Sequence, residues 1–339
     1  MKKLIQLTGI VLLIAAAFLL WITFGAATNF SEPKKYLYIR SGNVTKEALL
    51  STLEDSSFLS RNKWFEFIAT KWNLWPKLKA GKFEIKKGES VFSLVRKLRN
   101  NQQVQVNLVI TKLRTKKDFA ALVGRRFECD SATFYQYITG DAVKRRGVDS
   151  NTFMTLLIPN TYSYYWTASP QTIIARLEEY NQKFWNNERL QKAAALNLTK
   201  EQVYILASIV EEETLQNDEK STISSVYLNR LHKNMYLGAD PTVKFALGDF
   251  SIKRLYFGHI NSSAASPYNT YKNKGLPPGP ICTPQAVTID AVLDTKPTNY
   301  LFFCAKPNSN GHHAFAENEK EHFQNAKIYQ DWLNANKIQ

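Results

Sequence analysis

The stretch TKEQVYILASIVEEET, from Thr199 to Thr214, decides how the C-terminal half of this chain is read. Thr199 and Gln202 stand at capping-box spacing, which marks a helix start. Val203, Leu206, Ala207 and Val210 recur at helical spacing and predict one buried side. With about 100° between successive residues, Glu213 falls on the flank of that stripe, Glu212 points nearly opposite and Glu211 lies between. A helix C-terminus is a poor place for carboxylates, because the macrodipole is negative there. Desolvation, that dipole end and two like-charged neighbours would all favour protonated Glu213, the form a general acid requires. The competing reading is a solvated acidic turn.

The 339 residues are enough for two domains with sizeable cores. A hydrophobic fraction of 44% and an aromatic fraction of 13% exclude a disordered chain. The net charge of +15 favours anionic partners: a membrane surface, nucleic acid, or an acidic polymer such as a glycan bearing peptide carboxylates. No zinc-finger spacing or basic zipper is present, so nucleic acid is not expected as a partner. Cys129, Cys282 and Cys304 lack metal-ligand spacing and admit at most one disulfide among them.

Lys2 and Lys3 precede an uncharged run from Leu4 to Thr28. That length crosses a bilayer as a helix, at roughly 20 residues per crossing. Lysines before the span and a long domain after it predict a cytoplasmic N-terminus and an extracytoplasmic body on the cell (inner) membrane. A cleaved signal peptide is the other possibility. Phe24 fits the small position before a cut after Ala26 badly, so a retained anchor is expected over residues 1–30.

Residues 29–35 read as a short tether, followed by a module over 31–110. Within it, Lys79 to Ser90 leads through a strand and a Lys-Gly-Glu-Ser turn into a helix beginning at Val91, with Ser90 as its cap. This pattern resembles the glycan-binding LysM module; a small α+β spacer that binds nothing reads equally well. Residues 111–198 read as a connecting part. There Leu156-Leu-Ile-Pro-Asn-Thr-Tyr-Ser-Tyr-Tyr-Trp concentrates aromatics that either border a glycan groove or simply pack between domains. The remainder, 199–339, carries the chemistry. A second amphipathic helix near Asp218 to His232 leads to Asp240-Pro, a helix start. A rigid proline- and glycine-rich loop then runs from Lys272 to Pro284, and Asn299 to Ala305 reads as a buried strand.

Six segments in order resemble the MltG/YceG family of endolytic murein transglycosylases. They are Ala207-Ser-Ile-Val-Glu-Glu-Glu-Thr, Val226-Tyr-Leu-Asn-Arg-Leu, Asp240-Pro-Thr-Val, Tyr268-Asn-Thr-Tyr, Gly275-Leu-Pro-Pro-Gly-Pro-Ile and Gly311-His-His-Ala-Phe. The resemblance is strong over 199–330 and weaker before it. It implies an α+β fold with one transmembrane helix, a LysM-like module and a mixed α/β catalytic domain. It also implies a lysozyme-like catalytic glutamate on a helix end, at Glu213, before Thr214. Glu212 stands where the family commonly has a basic residue. At Gly311-His-His the family commonly has Gly-Gly-His, so His313 aligns with its histidine.

The implied reaction is lytic cleavage between N-acetylmuramic acid and N-acetylglucosamine in nascent glycan. Glu213 protonates the bridging oxygen and then takes the proton of the muramic C6 hydroxyl, leaving a 1,6-anhydro end. One carboxyl group is then enough, where glycosidases ordinarily use two. Tyr268, Asn269 and Tyr271 are candidates for holding the sugar, and Asn229 and Asp240 for lining the same cleft; each equally suits a turn or helix-packing role. No cofactor is implied. Association with peptidoglycan synthases follows from resemblance alone. Two alternatives stay open: a muramidase in which Asp240 activates water, and a non-catalytic glycan-binding scaffold. His312, His313 and His322 lack the carboxylates or cysteines that would support a metal site.

Overall fold

In a computed structural model, residues 2–140 and 149–336 are described, with side chains from Ile5 onward. The side chains of Lys2 and Lys3, on which the expected orientation rests, lie outside the described residues. The chain divides into two compact units. Unit one comprises Met1–Leu108, Gly124–Asp130 and Ser163–Ser169; unit two comprises Val109–Val123, Ser131–Tyr162 and Pro170–Gln339. The residues expected to connect domains, 111–198, are therefore shared between both units.

Unit one opens with α1 (Lys2–Phe24), whose segment Ile5–Phe24 is apolar enough to cross a membrane. There follow β1 (Lys34–Ile39), α2 (Lys46–Asp55), α3 (Asn62–Lys71), β2 (Gly81–Lys86) and α4 (Val91–Arg99). β1 and β2 pair antiparallel, with Leu37 opposite Phe83 and Lys35 opposite Ile85. Alternation puts Leu37, Ile39, Phe83 and Ile85 on one face, and that face is buried under Leu49, Leu53, Phe65, Ile68, Leu94 and Leu98. Ser90 caps α4 by accepting from Ser93 N at 3.2 Å. Val91, Leu94, Val95 and Leu98 then form its buried stripe.

The expected tether is part of the fold. Ala27 N donates to Glu89 O at 3.0 Å and Asn29 N to Phe58 O at 3.0 Å. Ala26 bridges Ser90, Thr28 bridges Leu59, and Lys34 and Lys35 already belong to β1. Backbone groups that a tether would leave to water are satisfied within the unit.

β3 (Gln105–Ile110) leads to α5 (Lys116–Arg126), α6 (Ser131–Thr139) and β4 (Asn160–Tyr165), which pairs with β3. Tyr162, Tyr164 and Trp166 are buried and serve the cores, while Tyr165 between them is exposed. Unit two continues with α7 (Pro170–Phe184), α8 (Asn187–Ala195), α9 (Lys200–Glu213), α10 (Lys220–His232), α11 (Asp240–Leu247), α12 (Phe257–Ser262), α13 (Ala286–Leu293), β5 (Phe302–Ala305), β6 (His313–Ala316) and α14 (Glu319–Ala335). The mixed α/β arrangement expected for the C-terminal domain is not what forms. From residue 199 on, the described strands are one antiparallel hairpin, β5–β6, among helices, which is an α+β arrangement. β5 is only half-buried, not the buried strand expected.

α9 is the hub of unit two. It packs against α8, α10, α11 and α13, and every residue from Val203 to Glu211 is buried. A single apolar stripe was the expectation; neighbours on several sides bury the remaining faces as well. The capping box is formed: Gln202 N donates to Thr199 Oγ1 at 3.2 Å, and Thr199 N to Gln202 Oε1 at 2.9 Å.

Candidate active site

Three consecutive glutamates leave the core at the end of α9 in three different environments. Glu211 is buried, 3.2 Å from Lys220 Nζ on α10, and Thr288 Oγ1 on α13 donates to it. It ties three helices together. Glu212 reaches Lys112 Nζ and Arg114 Nη2, each at 3.1 Å. Burial works to raise its pKa, but those two cations outweigh burial and hold it below the usual carboxylate range.

The partners of Glu212 are held by the loop after Gly275. Thr283 N donates to Leu113 O at 2.8 Å, Leu113 N to Thr283 Oγ1 at 2.9 Å, and Thr283 Oγ1 to Thr111 O at 2.7 Å. Ile281 N donates to Ser208 Oγ within α9 at 3.0 Å. Gly279 belongs to this loop because a Cβ there would meet Asn151 O at 2.3 Å. A position that commonly carries a cation in the resembling family is anionic here, and both cations come from residues 112–114.

Glu213, the last residue of α9, remains half-buried and has a different partner. Tyr227 Oη on α10 donates to its Oε1 at 2.5 Å. Burial pushes its pKa up to about 7 from the ordinary 4.5; the Tyr227 hydrogen bond opposes this, Asp240 adds to it, and Lys244 and Arg230 oppose it. The like charge acting on Glu213 is thus Asp240 of α11, not the adjoining glutamates that the sequence suggested, since Glu211 and Glu212 each have cations of their own. With Oε1 accepting from Tyr227, the proton of the acid form resides on Oε2. The carboxyl group then has one oxygen fixed and one free to donate.

Asp240 is exposed at the first turn of α11, and its Oδ1 accepts from Tyr271 Oη at 2.6 Å. The pKa of Tyr271 is raised by burial first and by Asp240 second. The loop carrying Tyr271 is fixed to the start of α11: Gly238 N donates to Thr270 O at 3.1 Å and Ala239 N to Thr270 Oγ1 at 2.9 Å. Gly238 has φ of +57°, a left-handed conformation that glycine adopts without strain.

The structure thus brings Glu213, Asp240 and Tyr271 into one electrostatic neighbourhood, joined by Tyr227, Arg230 and Lys244. The other candidates are occupied elsewhere. Asn269 is fully buried; its Nδ2 donates to Ile260 O and Ser263 Oγ, and its Oδ1 accepts from Tyr271 N, which is the turn-holding role. Asn229 Nδ2 donates to Thr298 O and Tyr300 O, holding the approach to β5. Tyr268 packs on Phe245 with ring centroids 4.7 Å apart.

Tyr227, Arg230 and Lys244 were not singled out from the sequence. The available signal was Tyr227 and Arg230 three residues apart on α10, one turn along one face. Arg230 is held by Leu301 O at 2.7 Å from Nε and Leu237 O at 2.5 Å from Nη1, so its charge is fixed rather than mobile.

His313 donates from its backbone to Glu219 Oε1 at 2.8 Å, with Nδ1 3.0 Å from Oε2. His312 lies 3.3 Å from Asp218, and His322 stacks on Phe302. Among the described residues no three His, Cys, Asp or Glu side chains gather as a metal site would need, and the three cysteines are free thiols.

Known proteins share this arrangement of sequence and fold. An endolytic murein transglycosylase of Bacillus subtilis (strain 168) is 44% identical over 34% of this chain and 31% of its own length. One of Streptococcus pneumoniae serotype 2 (strain D39 / NCTC 7466) is 25% identical over 87% of this chain and 58% of its own length. The chain therefore spans less than two-thirds of either relative. A 2.6 Å crystal structure of a YceG-like protein from Listeria monocytogenes superposes with a TM-score of 0.57 at 26% identity, covering 87% of this chain and 99% of that one. The profile of the YceG-like family matches residues 37–328. The chain belongs to the YceG-like family.

Proposed function

We propose that this protein is an endolytic murein transglycosylase, a lyase that cuts nascent peptidoglycan strands with Glu213 as its acid and base. The carrying observation is a half-buried carboxyl at a helix end whose pKa is pushed up to about 7 and whose Oε1 is pinned by Tyr227, leaving Oε2 to donate. Such a group is substantially protonated at neutral pH and can give its proton to the oxygen joining muramic acid to N-acetylglucosamine. As the proton leaves, Tyr227 stabilises the new carboxylate, and Arg230 and Lys244 add positive potential. The carboxylate then takes the C6 hydroxyl proton while that oxygen attacks C1, so the strand ends in a 1,6-anhydro ring and no water is consumed.

Asp240, held by Tyr271 and open to solvent, supports a role in orienting the sugar near the reacting bond. The second reading, hydrolysis with Asp240 activating water, draws on the same observation. Mass spectrometry of products from uncrosslinked strands separates the two: anhydro ends are expected, and reducing ends alone would make the enzyme a muramidase.

The Tyr227→Phe variant gives a graded test. Removing a hydrogen bond that lowers the pKa of Glu213 shifts the basic limb of the rate profile to higher pH. The maximal rate falls by about 10- to 100-fold, the worth of one hydrogen bond to a charged group. An unmoved basic limb would assign that limb to another group.

We further assign the apolar segment of α1 as a single membrane anchor with the N-terminus cytoplasmic. Unit one is proposed as a LysM-like module, a reading supported by its strand, turn and helix around Ser90. Contact with glycan-polymerising synthases would follow from work on nascent strands at the same membrane.

A further inference from the structure

α3 sets an exposed aromatic ring among the basic side chains of its outer side. Phe65, Ile68 and Ala69 are buried in the unit, yet Phe67 on the outer side is 47% exposed and ring-stacked on Trp64 at 4.9 Å. Lys63 and Lys71 flank Phe67 four residues either way, so all three share one outward stripe. Trp72, at the end of the helix, is 39% exposed.

This face is continuous with the outer end of α1. The Arg61 guanidinium lies 4.0 Å from the Trp21 ring centroid, and its Nη1 donates to Ile22 O at 3.2 Å, satisfying a carbonyl of the last helical turn. Trp64 Nε1 donates to Thr23 Oγ1 at 3.3 Å. From Phe24 a row of rings runs through Phe92 at 4.9 Å to Trp72 a further 4.3 Å on. Residues 25–29 are hydrogen-bonded into the unit, so the span and this face are one continuous piece.

Aromatic rings with a polar edge, next to lysines and at the end of an apolar span, are the composition favoured where hydrocarbon meets headgroups. An amphipathic helix with outward apolar rings and flanking basic residues lies in that plane. Stacking on the half-buried Trp64 explains one side of Phe67, but not why Phe67 and Trp72 stay open beside the end of the span.

We infer that unit one is seated on the lipid surface. α3 and the Phe24–Phe92–Trp72 row enter the headgroup layer of an anionic membrane, and Lys63 and Lys71 face its phosphates. The inference rests on α1 spanning the bilayer. Its consequence is that the membrane-proximal unit is held in a fixed orientation rather than swinging from a tether.

The test uses the full chain with its three native cysteines replaced, reconstituted in phosphatidylethanolamine–phosphatidylglycerol vesicles. Nitroxide labels are placed one at a time through Leu13→Cys, Phe67→Cys and Glu54→Cys, the last on the exposed side of α2. Collisions with oxygen, which enters lipid, and with a water-soluble nickel chelate are compared. Positions 13 and 67 are expected to gain oxygen collisions and lose nickel collisions relative to position 54. If 13 is shielded while 67 is as accessible to nickel as 54, the seating is wrong and the span stands. If 13 is also open to nickel, the spanning reading fails and the seating fails with it.

Discussion

Glu213→Gln is expected to abolish strand cleavage while leaving the fold intact. Glutamine keeps the shape of the side chain and its Oε1 still accepts from Tyr227, so the one property lost is the proton that can be given and reclaimed. General acid–base assistance contributes about 10²- to 10⁴-fold, and a loss in that range is predicted for purified protein on uncrosslinked strands. The same substitution should stabilise the protein above neutral pH. The folded carboxyl has a pKa of about 7 against an ordinary 4.5, so between those values the folded state holds a proton that the unfolded chain releases. Stability contributed by that proton is present at low pH and is lost as pH rises through the folded value. Glutamine carries no such penalty, so the unfolding temperatures of variant and parent should draw apart between about pH 4.5 and 7 and keep a constant offset above it, with the inactive variant the more stable. A variant that retained its cleavage rate would transfer the acid role to another residue.

The largest expected effect on stability lies next door. Lys220→Met leaves Glu211 as a buried carboxylate with Thr288 but without its cation. Breaking a buried pair from one side costs about 3–5 kcal/mol, because the remaining charge is desolvated without compensation. For a unit of this size that lowers the unfolding temperature by about 6–20 °C, measurable by calorimetry. The double variant Lys220→Met/Glu211→Leu should recover much of the loss, since no isolated charge is left in the core. A single variant as stable as the parent would mean that Glu211 accepts a proton or water there, and that the pair does not hold α9, α10 and α13 together.

The two substitutions separate neighbouring glutamates that sequence periodicity could only distinguish by direction. Helical spacing placed Glu213 at the edge of the apolar face, and its partly buried, hydrogen-bonded setting agrees with that. What spacing could not supply was the chemistry of the partners. Lys112 and Arg114 lie about a hundred residues away in the chain and Lys220 sits on the following helix; all three meet Glu212 and Glu211 only through tertiary packing, so the expectation of mutual repulsion among the three carboxylates did not survive. The same blindness affected Asn269, which has the composition of a sugar-binding group and the environment of a turn residue: its hydrogen bonds to Ile260 and Ser263 form only once α12 is in place.

In unit one, the capped helix after Ser90 was readable because a cap and a period coincide there. α3 was missed for a physical reason. Phe67 stands outward among Lys63, Glu66, Thr70 and Lys71, so an aromatic ring interrupts the polar side and blurs its period. The apparent tether failed for another reason, because backbone bridges to Ser90 and Leu59 leave no mark in side-chain composition.

The central claim is that Glu213 carries a proton at neutral pH. Its most direct test is an infrared titration of the protonated-carboxyl carbonyl band, taken as the difference between the wild-type chain and Glu213→Gln. A difference band that disappears with a midpoint near pH 7 is predicted, moving higher in Tyr227→Phe. A midpoint near 4.5 in the wild type would show an ordinary ionised carboxylate and contradict the account.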